Sequence, residues 1–168
     1  MQAHVAKCAI TPSTMQYYPK ETMAAAIKYL SNMEIAKFQV TTFARLLNSQ
    51  TEMLRRTLPE DGRYVGGAAW GMARKCLNIF LRDALYNSYL RNEYNLVNLE
   101  RHMEVPLDSH TMDAIMRDIE GIFLSTRPSI ANLTPDLSDQ YQDVAAKIAA
   151  RMSTYKVHLD LLFWRSNT

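Results

Sequence analysis

Cysteine is scarce in this chain of 168 residues, which contains only Cys8 and Cys76. The two residues lie far apart and form no CxxC pair, so the sequence argues against a disulfide framework and against a structural zinc site. This composition fits a reducing compartment best, and we therefore expect a cytoplasmic protein.

Long apolar runs and targeting signals are also missing. No run of about 18 apolar residues occurs, so we expect no membrane-spanning helix. Residues 1–15 have neither the charged start nor the apolar centre of a signal peptide. The formal net charge is only +2, which gives no global sign of a nucleic-acid-binding protein.

Motifs for metal and nucleotide binding are absent as well. The sequence contains no H-E-x-x-H, no G-x-x-x-x-G-K-[ST] and no G-x-G-x-x-G, and its four histidines are scattered. We therefore predict no metal site and no cofactor.

Glycine and proline are few, with five and six residues respectively, which excludes collagen-like and linker-dominated chains. Hydrophobic residues make up 48% of the sequence, enough for a substantial core. Apolar residues recur at steps of three and four, and no segment sustains a two-residue alternation. The sequence predicts an all-α fold of six or seven helices in one compact domain spanning residues 1–168, with N-terminal helices in 1–60 and a second helical region in 62–164.

Several helix boundaries can be predicted from capping residues. Ser31 and Glu34 match a capping box at the start of a long helix. Asp108 is suited to cap the N-terminus of the helix predicted over residues 109–124. The predicted helices cover about 20–30, a long segment beginning at 31, 72–94, 109–124 and a segment that opens at Thr134–Pro135. Residues 157–164 are apolar enough for either a short helix or a strand.

Residues 62–71 hold four of the five glycines and lead into a helix with basic residues in its first turn. Arg74 and Lys75 oppose the helix dipole there, an anomaly that a bound anion would explain. Residues 45–91 carry eight Lys and Arg against four Asp and Glu. The alternative is a basic face that is simply solvated.

Three segments resemble those of the helix-hairpin-helix DNA glycosylases, most closely the archaeal-type 8-oxoguanine DNA glycosylase/AP lyases. Residues 71–83, G-M-A-R-K-C-L-N-I-F-L-R-D, are similar to the helix that carries the nucleophilic lysine of that family, and Lys75 matches it. Residues 104–117, E-V-P-L-D-S-H-T-M-D-A-I-M-R, resemble the segment with the catalytic aspartate, where Asp108 and His110 match. Residues 157–164, V-H-L-D-L-L-F-W, resemble the C-terminal L-D-L-x-L-W segment.

The resemblance implies the helix-hairpin-helix glycosylase fold and a duplex DNA partner with a damaged base or an abasic site. It implies that Lys75 forms a Schiff base with the sugar and that Asp108 stabilises the positive charge on the sugar. The remaining implied site residues are DNA contacts at Gly66, Gly67, Gly71, Arg74, Arg82 and His110, and a base pocket with Trp70, Asp160 and Trp164.

Two functions remain open at this stage. The first is a base-excision-repair enzyme that removes an oxidised purine, which would be nucleoid-associated in the cytoplasm. The second is a non-enzymatic helical module that binds DNA or a protein and keeps only the scaffold. Trp70 could stack on a base or fill the core, and the oligomeric state is undetermined.

Overall fold

The computed structural model describes residues 1–11, 14–15, 18–58, 68–117 and 128–165, and eight α-helices lie within these ranges. No strand occurs within these ranges, and the predicted all-α class is confirmed. The helices are α1 (Gln2–Ala9), α2 (Lys20–Ser31), α3 (Phe43–Arg55), α4 (Ala68–Tyr86), α5 (Ser88–Glu93), α6 (Ser109–Arg117), α7 (Pro135–Arg151) and α8 (Leu159–Arg165). None of the described helices is long and apolar enough to cross a membrane.

Short 3-10 turns connect the helices and replace part of one predicted helix. They comprise Ile35–Lys37, Val40–Thr42, Leu96–His102, Ile130–Asn132 and Lys156–His158. The capping box predicted at Ser31 is wrong, because Ser31 ends α2 and its hydroxyl donates to the Ile27 carbonyl at 2.7 Å. A serine bonded back along its own helix cannot cap the next one. Two 3-10 turns therefore precede α3.

The helix predicted over residues 72–94 is divided at Asn87, which raises the number of helices above the predicted six or seven. The Asn87 side chain accepts a hydrogen bond from the Leu90 N–H at 3.1 Å and caps α5. The caps predicted at the starts of α6 and α7 are confirmed. Asp108 accepts from the Thr111 N–H at 2.8 Å, and Thr134 accepts from the Leu137 N–H at 3.3 Å. The end predicted for the helix of α6, at 124, lies outside the described residues.

Two hydrophobic clusters form the core, and α4 contributes to both. The first cluster is built from α1, α2, α3 and one side of α4, with Phe80 and Leu77 completely buried. The second packs α6, α7 and the start of α8 around Tyr141, and Trp70 of α4 joins it. The central helix α4 therefore connects the N-terminal and C-terminal halves of the core.

Gly71 allows α4 to approach the 3-10 turn Ile130–Asn132 at very short range. A Cβ atom at Gly71 would lie 2.3 Å from the Ile130 carbonyl oxygen and 3.0 Å from the Leu133 Cβ. Both obstacles are fixed parts of the chain, so a side chain at this position forces the turn away from the helix. Gly71 is thus required by packing inside α4.

We predict that Gly71→Ala destabilises the protein by about 1–3 kcal/mol, the usual cost of overpacking. The direction is informative because alanine would otherwise stabilise a helix interior by about 1 kcal/mol over glycine. Urea unfolding followed by circular dichroism measures the change. An equally stable or more stable variant would contradict the close contact.

Candidate functional site

Arg74 lies in the interior and is fully engaged by its neighbours. Its exposed fraction is 4%, and its Nε and Nη2 donate to the two carboxylate oxygens of Glu104, each at 2.8 Å. Its Nη1 donates to the Thr51 hydroxyl at 2.9 Å, and Asn78 donates a further hydrogen bond to Glu104 at 2.9 Å. The guanidinium also lies 5.5 Å from the ring centre of Trp70. Arg74 therefore holds α3, α4 and the segment before α6 together.

Trp70 contributes to the core as well as to this contact. Its exposed fraction is 8%, and it packs in the second hydrophobic cluster. Of the two roles that the sequence left open, the structure places the ring in the core position. Among the DNA contacts implied by the resemblance, Gly66 and Gly67 lie outside the described residues.

Arg82 and Asp160 form a second ion pair, half a helix away from Arg74. Arg82 donates to Asp83 from Nε at 3.0 Å and from Nη2 at 2.9 Å, and its Nη1 donates to Oδ2 of Asp160. The other oxygen of Asp160, Oδ1, is buried without a hydrogen-bond partner. This pair joins the last turns of α4 to α8, so segments 71–83 and 157–164 meet here.

Burial raises the pKa of the Asp160 carboxyl, and the nearby charge of Asp108 raises that pKa further, whereas Arg82 lowers it. Desolvation is the leading cause, because a buried carboxylate loses its hydration. Helices α6 and α8, which begin next to Asp108 and Asp160, also contact each other. The start of α6 and the start of α8 therefore share a site with Arg82.

His110 of α6 and Trp164 of α8 form a second contact between these two helices. Their rings are stacked with centres 4.2 Å apart and planes at 29°. The exposed fraction of Trp164 is 56%, so the indole covers His110 while most of it faces solvent. We call the group of Arg82, Asp108, His110, Asp160 and Trp164 the convergent site, because it brings together residues from segments 71–83, 104–117 and 157–164.

Lys75 is half-buried on the same face of α4 as Arg82, seven residues earlier. Two helical turns separate them, about 10 Å along the axis. Within the described ranges, Lys75 forms no hydrogen bond or ion pair, and no contact joins it to Asp108. Among the described residues, the Lys75 amine therefore has no hydrogen-bond or ion-pair partner.

A hydrogen-bonded chain adjoins the convergent site and was not predicted from the sequence. The Tyr86 hydroxyl lies 2.6 Å from Nδ1 of His158, and Nε2 of His158 lies 2.6 Å from Oε1 of Glu100. Burial is the leading cause that raises the pKa of the Tyr86 hydroxyl to about 12, and the negative charge of Asp160 raises this pKa further. The positive charge of Arg82 lowers it. The three residues come from distant parts of the sequence, and no local pattern marks them.

Groups suited to a metal ion are absent from the described part of the chain, where no cluster of three or more His, Cys, Asp or Glu residues has the required arrangement. Cys8 is exposed and Cys76 is buried, and both are free thiols. Burial raises the pKa of Cys76 to about 12, so this thiol stays protonated.

Comparisons with protein-family models, curated proteins and solved structures found no match for this chain.

We predict that Glu104→Gln costs about 3–5 kcal/mol of stability, because it leaves the buried Arg74 cation without its counter-charge. Glu93→Gln is the matched control, since Glu93 is exposed on α5, and its effect should stay within about 0.5 kcal/mol. Chemical unfolding of both variants measures the difference. Equal stability of the two variants would mean that Arg74 does not depend on Glu104.

Proposed function

We propose that this chain is a DNA-binding protein of the base-excision type, with Lys75 as the nucleophile of a glycosylase/β-lyase that acts on an oxidised purine. One observation carries the proposal. The three segments that separately resemble the glycosylases span residues 71 to 164 of the sequence, yet they contact one another through the pairs Arg82–Asp160 and His110–Trp164. Packing alone does not require matched segments to converge on one site.

The chemistry requires an amine that can lose its proton. The neutral Lys75 amine attacks C1′ of an extruded nucleotide, the C1′–N bond breaks, and the base leaves with the bonding electrons and takes up a proton. Opening of the sugar ring gives a Schiff base on Lys75, and elimination from it nicks the strand. Within the part of the chain that the structure describes, Lys75 has no hydrogen-bond or ion-pair partner, and this supports the role.

Asp108 fits the part of an electrostatic support. Its carboxylate accepts a hydrogen bond from the Thr111 N–H at the start of α6, which fixes the orientation of the side chain. An ionised carboxylate stabilises the positive charge that develops on the sugar as the base departs. Asp160 and Trp164 would then border the extruded base.

We expect borohydride to trap a covalent adduct with duplex DNA that contains 8-oxoguanine or an abasic site. The adduct should vanish in Lys75→Gln and persist in Lys147→Gln, a change at an exposed lysine of α7. Asp108→Asn should slow trapping by about 100-fold while keeping the cap, since asparagine caps as well as aspartate. Gel electrophoresis of the trapped product measures all three. No adduct with either duplex, or an undiminished adduct in Lys75→Gln, refutes the enzyme.

A second candidate is a non-enzymatic helical module that binds DNA or a protein partner. The capture of both Arg74 and Arg82 by carboxylates favours it, because these two arginines are then poorly placed to bind phosphates. Phosphate recognition would have to come from other basic residues, and a protein partner would need none.

If the module binds DNA, we expect its affinity for undamaged duplex to fall by about fortyfold between about 50 and 200 mM salt, the dependence for three phosphate contacts. Fluorescence anisotropy with a labelled duplex measures it. Affinity for DNA that does not change with salt would contradict phosphate binding, and undetectable affinity at low salt would leave the protein partner as the remaining form of this candidate.

A further inference from the structure

Two hollows lie side by side between α2, the turn Ile35–Lys37 and α3, away from the convergent site. The larger has a volume of about 650 Å³ and the smaller about 420 Å³. Lys37 and Leu46 line both, so the hollows are neighbours along one groove. No residue of the convergent site lines either hollow, and the groove is therefore independent of the function proposed above.

The larger hollow has an apolar lining of the kind that ligand pockets use. Met33, Leu46 and Met53 line it together with the ring of Tyr29. The Tyr29 hydroxyl donates to Gln50 Oε1 at 2.5 Å, so the phenol group is satisfied within the wall. Methionine side chains adapt to different apolar shapes, and the volume lies within the usual range of about 300–1,000 Å³ for ligand sites.

The smaller hollow has both polar and apolar walls, and its two charged residues, Lys37 and Arg45, are cationic. Thr42, which directly precedes α3, lines it together with Arg45 and Ser49 of α3, beside the face that carries Leu46 and Met53. The spacing of these residues along α3 explains the change of character, since neighbouring helical faces carry different residue types. A mainly apolar hollow thus continues into one with a larger share of polar groups.

The charged residues that line the groove indicate the charge of a ligand. Glu34 is the acidic residue that lines the groove, and it pairs with Lys37. Lys28 and Arg45 form no ion pair within the part of the chain that the structure describes. Two cations are therefore left without counter-charges beside the apolar lining, and an anion would satisfy them.

We propose that this groove binds a single-chain amphiphile with an anionic head, either a carboxylate or a phosphate monoester. The apolar tail occupies the hollow lined by Met33, Leu46 and Met53. The head lies toward Arg45, where the hydroxyls of Thr42 and Ser49 complete its hydrogen bonds.

The first experiment titrates the whole protein with laurate, kept below its micelle concentration, by isothermal calorimetry. We expect saturable binding with one site. Shortening the tail to decanoate should weaken binding by up to about fourfold per CH₂ removed. Heat without saturation, or affinity that does not depend on tail length, overturns the proposal.

Matched methionine variants locate the tail. Met53 and Met152 are both 47% exposed, so glutamine is tolerated by the fold at either position. Met53→Gln should weaken laurate binding by about three- to tenfold because it removes apolar contact. Met152→Gln should leave binding unchanged. Equal affinities of the two variants place the tail elsewhere and overturn the proposal.

The head group is tested by changing charge on both sides. Dodecyl phosphate should bind at least as tightly as laurate, and dodecyltrimethylammonium should bind weakly. Arg45→Glu should weaken laurate by about tenfold, whereas Arg91→Glu, a reversal at an exposed arginine of α5, should not. Comparison of the two anions identifies the preferred head.

Vesicles of phosphatidylcholine and phosphatidylglycerol separate a monomeric ligand from a membrane surface. We expect the protein to bind monomeric laurate without co-sedimenting with the vesicles. Co-sedimentation without binding of the monomer overturns the proposal in favour of a membrane surface.

Discussion

The buried ion pair between Arg74 and Glu104 determines where the rest of the C-terminal half lies. A guanidinium with 4% exposure is held only because Glu104 accepts from it twice and Thr51 accepts from it once. Glu104 belongs to the segment that leads into Asp108. The next residue, Val105, is bound by Gln142 of α7, which donates to the Val105 carbonyl at 2.8 Å and accepts from the Val105 N–H at 3.1 Å. Because the contacts of Glu104 and Val105 fix the segment just before Asp108, they also position Asp108 and α6.

The same pair explains why a local count of charges misleads. The excess of basic residues in 45–91 resembles a phosphate-binding surface, and Arg74 and Arg82 are part of it. Arg74 is paired with Glu104, and Arg82 with Asp160 as well as its neighbour Asp83, so each arginine has a carboxylate partner from outside that window. A buried arginine and a phosphate-binding arginine have the same local sequence, and only the tertiary contact distinguishes them.

Local physical signals predicted a large part of the fold. Thr134 and Asp108 cap helices as expected, because an N-cap depends on a side chain and a backbone N–H three residues apart. Ser31 also has the right chemistry for a cap, yet it bonds backward to Ile27 because the chain turns after α2. The chain of Tyr86, His158 and Glu100 could not be predicted, since nothing local marks residues that pair across 72 and 58 positions.

Charge at the convergent site constrains how any DNA could bind there. Arg82 faces Asp83 and Asp160, and Asp108 adds a third carboxylate close enough to raise the pKa of Asp160. Three acids around one guanidinium repel phosphates, so this end of α4 suits a sugar or a base rather than the backbone of a duplex. Lys75 lies two turns nearer the helix start. Residues 59–67, outside the described ranges, directly precede the start of α4. If Lys75 reaches C1′ while the acidic end of α4 receives the base, contacts with the DNA backbone have to lie toward the start of α4.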